Sequence, residues 1–162
     1  LNARAERVLA RLNGTNQNMK EAHDHAKKAN QLDEASTAGK LLLATIELDP
    51  QFEDLYLDGA EKLFKDVQRV RPRSLEAKRG LGLVLLAKHA RTPERAEAKL
   101  VEALDEDARD PWTLGGLARI TEDKGAPDKA RAMRLRAARA ERDVRRREGW
   151  YFAVGLREMT IA

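Results

Sequence analysis

Apolar residues recur along the chain at steps of three and four, the period of a helix, and no stretch alternates as a strand does. Phe52, Tyr56, Gly59, Leu63, Val67 and Val70 fall on one stripe of a helix predicted over 51–70. Leu81, Leu83, Val84, Leu85 and Leu86 instead encircle theirs, so that helix is expected to be central and the most buried. Ala130, Met133, Ala137, Ala140 and Val144 form a narrow seam of small residues at heptad-like spacing, which lets a neighbour approach closely on one side only. Helices are predicted at 2–12, 16–31, 33–48, 51–70, 74–90, 93–107, 111–124 and 127–148.

Their starts carry chemical signals. Asp49-Pro50, Thr92-Pro93 and Asp110-Pro111 each place a side-chain oxygen before a proline, so the oxygen caps free amides while proline fills a position that needs none. Ser74 after Pro72, and Asp33 after Leu32, are weaker forms of the same signal, and Gly14 and Gly125 read as helix stops.

The pattern also repeats. Thr-Pro-Glu-Arg-Ala-Glu-Ala at 92–98 returns 34 residues later as Ala-Pro-Asp-Lys-Ala-Arg-Ala at 126–132. At this offset Gly82 meets Gly116, Leu83 meets Leu117, Leu86 meets Ile120, Ala96 meets Ala130 and Ala103 meets Ala137. A helical repeat of this length is one hairpin, which cannot bury its apolar face alone and must stack on others.

Residues 77–110 and 111–144 resemble two tandem tetratricopeptide repeats. Leu83 and Leu117 stand at that family's large position, Ala118 at the small one with Val84 in its place in the first unit, and Gly125 at the turn. Ala96 and Ala130 match the first alanine of the second helix, Ala103 and Ala137 the second, and Pro111 opens the second unit. Arg134 stands where an aromatic or leucine packs, and Leu114, two residues after Trp112, takes the usual aromatic position.

The resemblance implies a single all-α domain, 1–162, of helix-turn-helix units stacked as a right-handed solenoid, with first helices lining a concave groove that holds a peptide or helix of a partner protein. It thus implies a non-catalytic scaffold or adaptor. Carried onto this chain, the groove consists of Lys78, Leu81, Leu85 and Lys88, followed by Trp112, Gly115, Arg119 and Glu122. The other reading buries Leu81 and Leu85 against the N-terminal helices. The Asn-plus-Lys set with which some members clamp a terminal carboxylate is not found. Upstream, Ala38, Leu42, Thr45 and Pro50 mimic a second helix and its exit, but only 24 residues separate Glu53 from Ala77, so 1–76 are degenerate hairpins or an unrelated helical cap. Downstream, 145–162 is a capping segment, or Tyr151, Val154 and Gly155 open a third repeat.

Composition agrees with helices: 26 Ala, 22 Leu and 20 Arg stand against 10 Val plus Ile. With no cysteine, disulfide, thiolate-zinc and thiol-nucleophile chemistries are excluded. The longest apolar run, Leu81 to Ala87, is too short to span a bilayer. The chain opens on Leu1 without a basic–apolar–small leader, which reads as a fragment or a processed form and leaves the compartment open.

Candidate chemistry is sparse, and neither cofactor nor metal is expected. In His23-Asp24-His25 the two imidazoles point about 200° apart on a helix, so the cluster reads as a solvated face. His89 near a helix end complements the dipole. Ser36 and Ser74 lack the flanking glycines of a nucleophile elbow, Gly39-Lys40 lacks the upstream glycine of a phosphate loop, and Gly80-x-Gly82 lies within a helix. Acidic residues Glu102, Asp105, Glu106, Asp107 and Asp110 are expected to pair with arginines of the following unit.

Charge is uneven. The chain carries +4, but 129–147 alone carries +7. Arg131, Arg134, Arg139, Arg142 and Arg146 form a basic sleeve that fits a solvated face with ion pairs to 102–110, an acidic protein partner, or nucleic acid. No aromatic interleaves with it as a single-strand platform would require. The segment 149–162, with Trp150, Tyr151 and Phe152, is expected to fold back as a cap, or else to serve as an assembly surface for another copy or another protein, with a membrane-interface role last.

Overall fold

The computed structural model describes residues 2–15, 18–49, 52, 55–88 and 93–142. They form eight helices: α1 (Ala3–Thr15), α2 (Met19–Leu32), α3 (Thr37–Glu47), α4 (Leu57–Val70), α5 (Leu75–Lys88), α6 (Glu94–Leu104), α7 (Pro111–Asp123) and α8 (Pro127–Ala140). Each packs on the next, making the antiparallel hairpins α1/α2, α3/α4, α5/α6 and α7/α8. The odd helices also lie against one another, α1 on α3, α3 on α5 and α5 on α7, whereas successive even helices hardly touch. The pile therefore closes on its odd side and opens on its even side, which is the curvature of a solenoid.

Four side-chain caps set the phase of the odd helices. The side chains of Asn2, Ser36, Ser74 and Asp110 accept from the backbone N–H groups of Ala5 (3.0 Å), Gly39 (3.2 Å), Ala77 (3.2 Å) and Thr113 (2.8 Å). Each satisfies an amide that the helix leaves unpaired, worth ~1 kcal/mol. Counted from these caps, the eighth residue is Ala10, Ala44, Gly82 or Ala118, small and buried in all four hairpins. Gly82 is therefore the partner of Ala118, and the expected pairing of Gly82 with Gly116 is two residues out of step for the first helices. Between α6 and α8 the 34-residue offset does hold, with Ala96, Ala103, Ala130 and Ala137 all buried.

The even helices share a second signature. Ala22/Ala26/Ala29, Ala60/Phe64/Val67 and Ala96/Leu100/Ala103 are buried throughout, and Ala130 and Ala137 flank Arg134 at the same spacing. The middle member meets the following hairpin. A Cβ on Gly80 would come within 2.3 Å of Phe64 Cζ, and one on Gly116 within 2.9 Å of Leu100 Cδ1, so a large side chain on one hairpin seats against a glycine on the next. Where the middle member is the small Ala26, the next hairpin offers Leu42 to the same cluster. Sizes are thus exchanged across the joint, which keeps it filled.

Several expectations are corrected. α3 is a first helix, flanked by α1 and α5, not the second helix inferred from Ala38, Leu42 and Thr45. Its cap is Ser36 and not Asp33, which closes α2 by donating its backbone N–H to the Ala29 carbonyl. α4 begins at Leu57, not near 51; Phe52 and Leu55 lie in successive turns donating to the carbonyls of Asp49 and Phe52, which carry Phe52 and Tyr56 off the helix. α1 runs to Thr15, past Gly14, whereas Gly125 does end α7 with φ +80° and its N–H on the Glu122 carbonyl. α8 ends at Ala140, where Glu141 turns extended. α5, as expected, is the central buried helix.

Candidate interaction surface

Each odd helix is covered by its neighbours in the row and, behind, by even helices, which leaves one face to solvent. The second residue after each cap is Arg4, Ala38, Glu76 or Trp112, all exposed. The fifth is Arg7, Leu41, Arg79 or Gly115, all half-buried. The ninth is Arg11, Thr45, Leu83 or Arg119, exposed except for the half-buried Leu83. These positions lie on one side of a helix, so across four adjacent helices they form one continuous surface.

On α7, Trp112, Gly115 and Arg119 of the expected groove lie on this stripe, while Glu122 lies beyond it and is bound by Arg134 of α8. The α5 part does not. Leu81 and Leu85 are 2% and 6% exposed, in the core between hairpins. Lys78 Nζ donates to Glu106 Oε1 at 2.7 Å, and Lys88 Nζ donates to Asp58 Oδ1 at 2.5 Å and Glu61 Oε2 at 2.6 Å. Both lysines bind neighbouring elements. The cause is the two-residue phase error above; α5 presents Glu76, Arg79 and Leu83. Counting from the cap, and not from the proline repeat, is the sequence signal that finds them.

Ion pairs brace the row. Arg79 Nη1 donates to Asp110 Oδ1 at 2.7 Å, while Asp110 Oδ2 accepts from Thr113 N and, at 2.6 Å, from its hydroxyl. Lys78 and Arg73 share Glu106, and their hydrogen bonds hold that carboxyl below its ordinary range. Of the acidic residues of 102–110, Glu106 and Asp110 thus serve α5 and the turn before it, and Glu102 binds Lys99 of its own helix, in place of the expected arginines of the following unit. Lys65 and Lys88 together pull Glu61 down to about 2. Arg134 reaches Glu122 of its own hairpin, lowering that carboxyl and removing this arginine from the basic sleeve. Arg131, Arg139 and Arg142 remain exposed. Arg146, His89, Trp150, Tyr151 and Phe152 lie outside the described residues.

The histidines also depart from expectation. α2 is packed on both sides, so His23 and His25, pointing opposite ways, each meet protein. His23 is buried and stacks on Tyr56 with centroids 4.5 Å apart; Phe52 tilts against it at 5.4 Å. Its Nε2 lies 3.5 Å from Glu47 Oε1 and its Nδ1 3.8 Å from Asp24. Burial raises the Glu47 carboxyl, and His23 opposes that rise. On the other side, His25 Nδ1 lies 2.7 Å from Oε2 of the fully buried Glu6, the main reason that this carboxyl is lowered. Among the described residues no cluster of three or more His, Asp or Glu could hold a metal, and no helix is long and apolar enough to cross a membrane.

No family model matches this sequence, and no curated protein matches it. Its structure is similar to that of a thermophilic TPR protein of Thermus thermophilus, with a TM-score of 0.74 and 23% identity over 96% of this chain and 82% of that one. The capped odd helices, the recurring small residues and this likeness together establish that the chain has the tetratricopeptide-repeat fold, an all-α solenoid.

Proposed function

We propose that this chain is a non-catalytic scaffold that holds a peptide or helix of another protein on the exposed stripe of its odd helices. The observation that carries this reading is the recurrence of exposed or half-buried positions at fixed distances from four caps, which gives one surface across four helices. Trp112, 42% exposed, supplies an aromatic contact at one end, Leu83 and Leu41 an aliphatic middle, and Arg119 and Arg4 charge. A mixed surface of this kind suits an extended segment with alternating apolar and acidic side chains. The basic sleeve as a nucleic-acid surface is the weaker reading, since Arg134 is engaged by Glu122.

The test is capture of partners by the wild-type chain and by Trp112→Ala, Leu83→Glu and Arg119→Glu variants that keep their helical content. Each is expected to weaken capture about tenfold or more. Lys99→Glu, on an even helix away from the stripe, is expected to change nothing. Full capture by all three stripe variants would refute the proposal.

A further inference from the structure

We infer that the notch between the α6–α7 turn and the end of α8 binds a phosphomonoester group. It is a cavity of about 210 Å³ lined by Ala108, Arg109, Leu114, Arg136, Arg139 and Ala140. An adjoining hollow shares Arg109 and Ala140 and adds Arg142 together with Asp107, Pro111 and Glu141. None of this belongs to the exposed stripe, so the inference stands apart from the scaffold reading.

Lys40, Lys78, Arg79, Lys88, Lys124 and Arg134 each reach across to a carboxylate on another element. At the notch this pattern stops. Among the described residues, Arg136 donates only to the Ala108 carbonyl, at 3.2 Å, and Arg109 and Arg139 have no carboxylate within ion-pair distance. Of the acids nearby, Asp107 accepts from the Arg109 backbone N–H at 2.9 Å, Asp110 is taken by Arg79 and Thr113, and Glu141 is buried at the side of the adjoining hollow with an interaction of its own. Three exposed arginines thus border one hollow without a carboxylate of their own, a setting that favours an anion held among them.

Guanidinium forks match planar or tetrahedral oxyanions bidentately. A carboxylate offers two oxygens and one charge. A phosphomonoester offers three oxygens and a charge between about −1.5 and −2 near neutral pH, the better match to three forks. Ala108, Leu114 and Ala140 give the carbon side of the ester an apolar wall. The group could belong to a small organic phosphate or to a phosphorylated side chain; the chemistry recognised is the same.

The experiment is calorimetric titration of the full chain at low salt with phenyl phosphate, a phosphoserine peptide, benzoate and a short thymidine oligonucleotide. Phosphomonoesters are expected to bind saturably and at least about tenfold more tightly than benzoate, with affinity falling as salt rises. Arg136→Gln and Arg139→Gln should each weaken binding about tenfold, and Arg131→Gln, outside the notch, should not. Preference between phenyl phosphate and the peptide identifies the source of the group. Absence of binding, equal affinity for benzoate, a stronger response to the oligonucleotide, or an equal loss in Arg131→Gln would overturn the inference.

Discussion

A single methyl group tests the joints between hairpins. Gly80→Ala would normally strengthen a helix by about 1 kcal/mol. Here the added Cβ meets three Phe64 ring atoms at 2.3–2.6 Å, so the substitution is expected to destabilise by about 1–3 kcal/mol in urea unfolding. Combining it with Phe64→Leu, which removes the ring atoms that the added Cβ meets, should cost less than the sum of the two single changes. Additive costs would show that the ring and the glycine do not form a unit. Acid supplies a second residue-scale test. Glu61 sits at about 2 against an ordinary 4.5, so the stability it contributes is present above 4.5 and is lost as pH falls toward 2. Glu6, Glu106 and Glu122 act in the same direction, while Glu47, raised by burial, acts in the opposite one. Lys88→Ala should flatten the acid limb of a stability–pH curve; an unchanged limb would deny the lysine its role.

Elements are where the sequence is most legible and also where it misleads. Side-chain caps at Ser74 and Asp110 and the glycine stop at Gly125 are readable because they act within a few residues of themselves. The apolar spacing misplaces α4 because Phe52 and Tyr56 have helical spacing to Leu63 and Val67, yet what holds them is His23, some thirty positions earlier in the chain. Local pattern carries no record of such a contact. The stripe on α5 escapes for another reason: the proline-led repeat is in phase for even helices, and two residues of difference in the connection before α6 move every odd-helix position. Asp110→Ala should cost about 2 kcal/mol, since it removes a cap and strands Arg79 together. Asp110→Asn, which keeps the cap, should cost less, and equal losses would assign the whole effect to the ion pair.

At the scale of the whole molecule, each hairpin touches only its neighbours in the pile, so stability is a sum of local terms and is greatest where both sides are covered. Native-state hydrogen exchange should therefore protect α5 most, with its buried Ala77, Leu81, Val84 and Leu85, and α1 least. Uniform protection from α1 to α8 would mean that the pile opens only as one unit. The stacking of helical pairs is legible from the repeat alone. That 1–76 supply two further hairpins of the same kind is not, since Ala22/Ala26/Ala29 and Ala60/Phe64/Val67 stand 38 residues apart and not 34.

The exchange of large and small side chains between hairpins has a consequence for the order of the chain. Phe64 is followed by Gly80 and Leu100 by Gly116, whereas the hairpin of Ala26 is followed by one that brings Leu42 to the same cluster. A transplanted second hairpin would set a ring against leucine or leave a hollow opposite alanine. The units share a backbone plan but not one kind of joint: the third and fourth present glycine to the preceding hairpin and the second presents leucine, so moving the second hairpin down the pile would leave a seam that does not close.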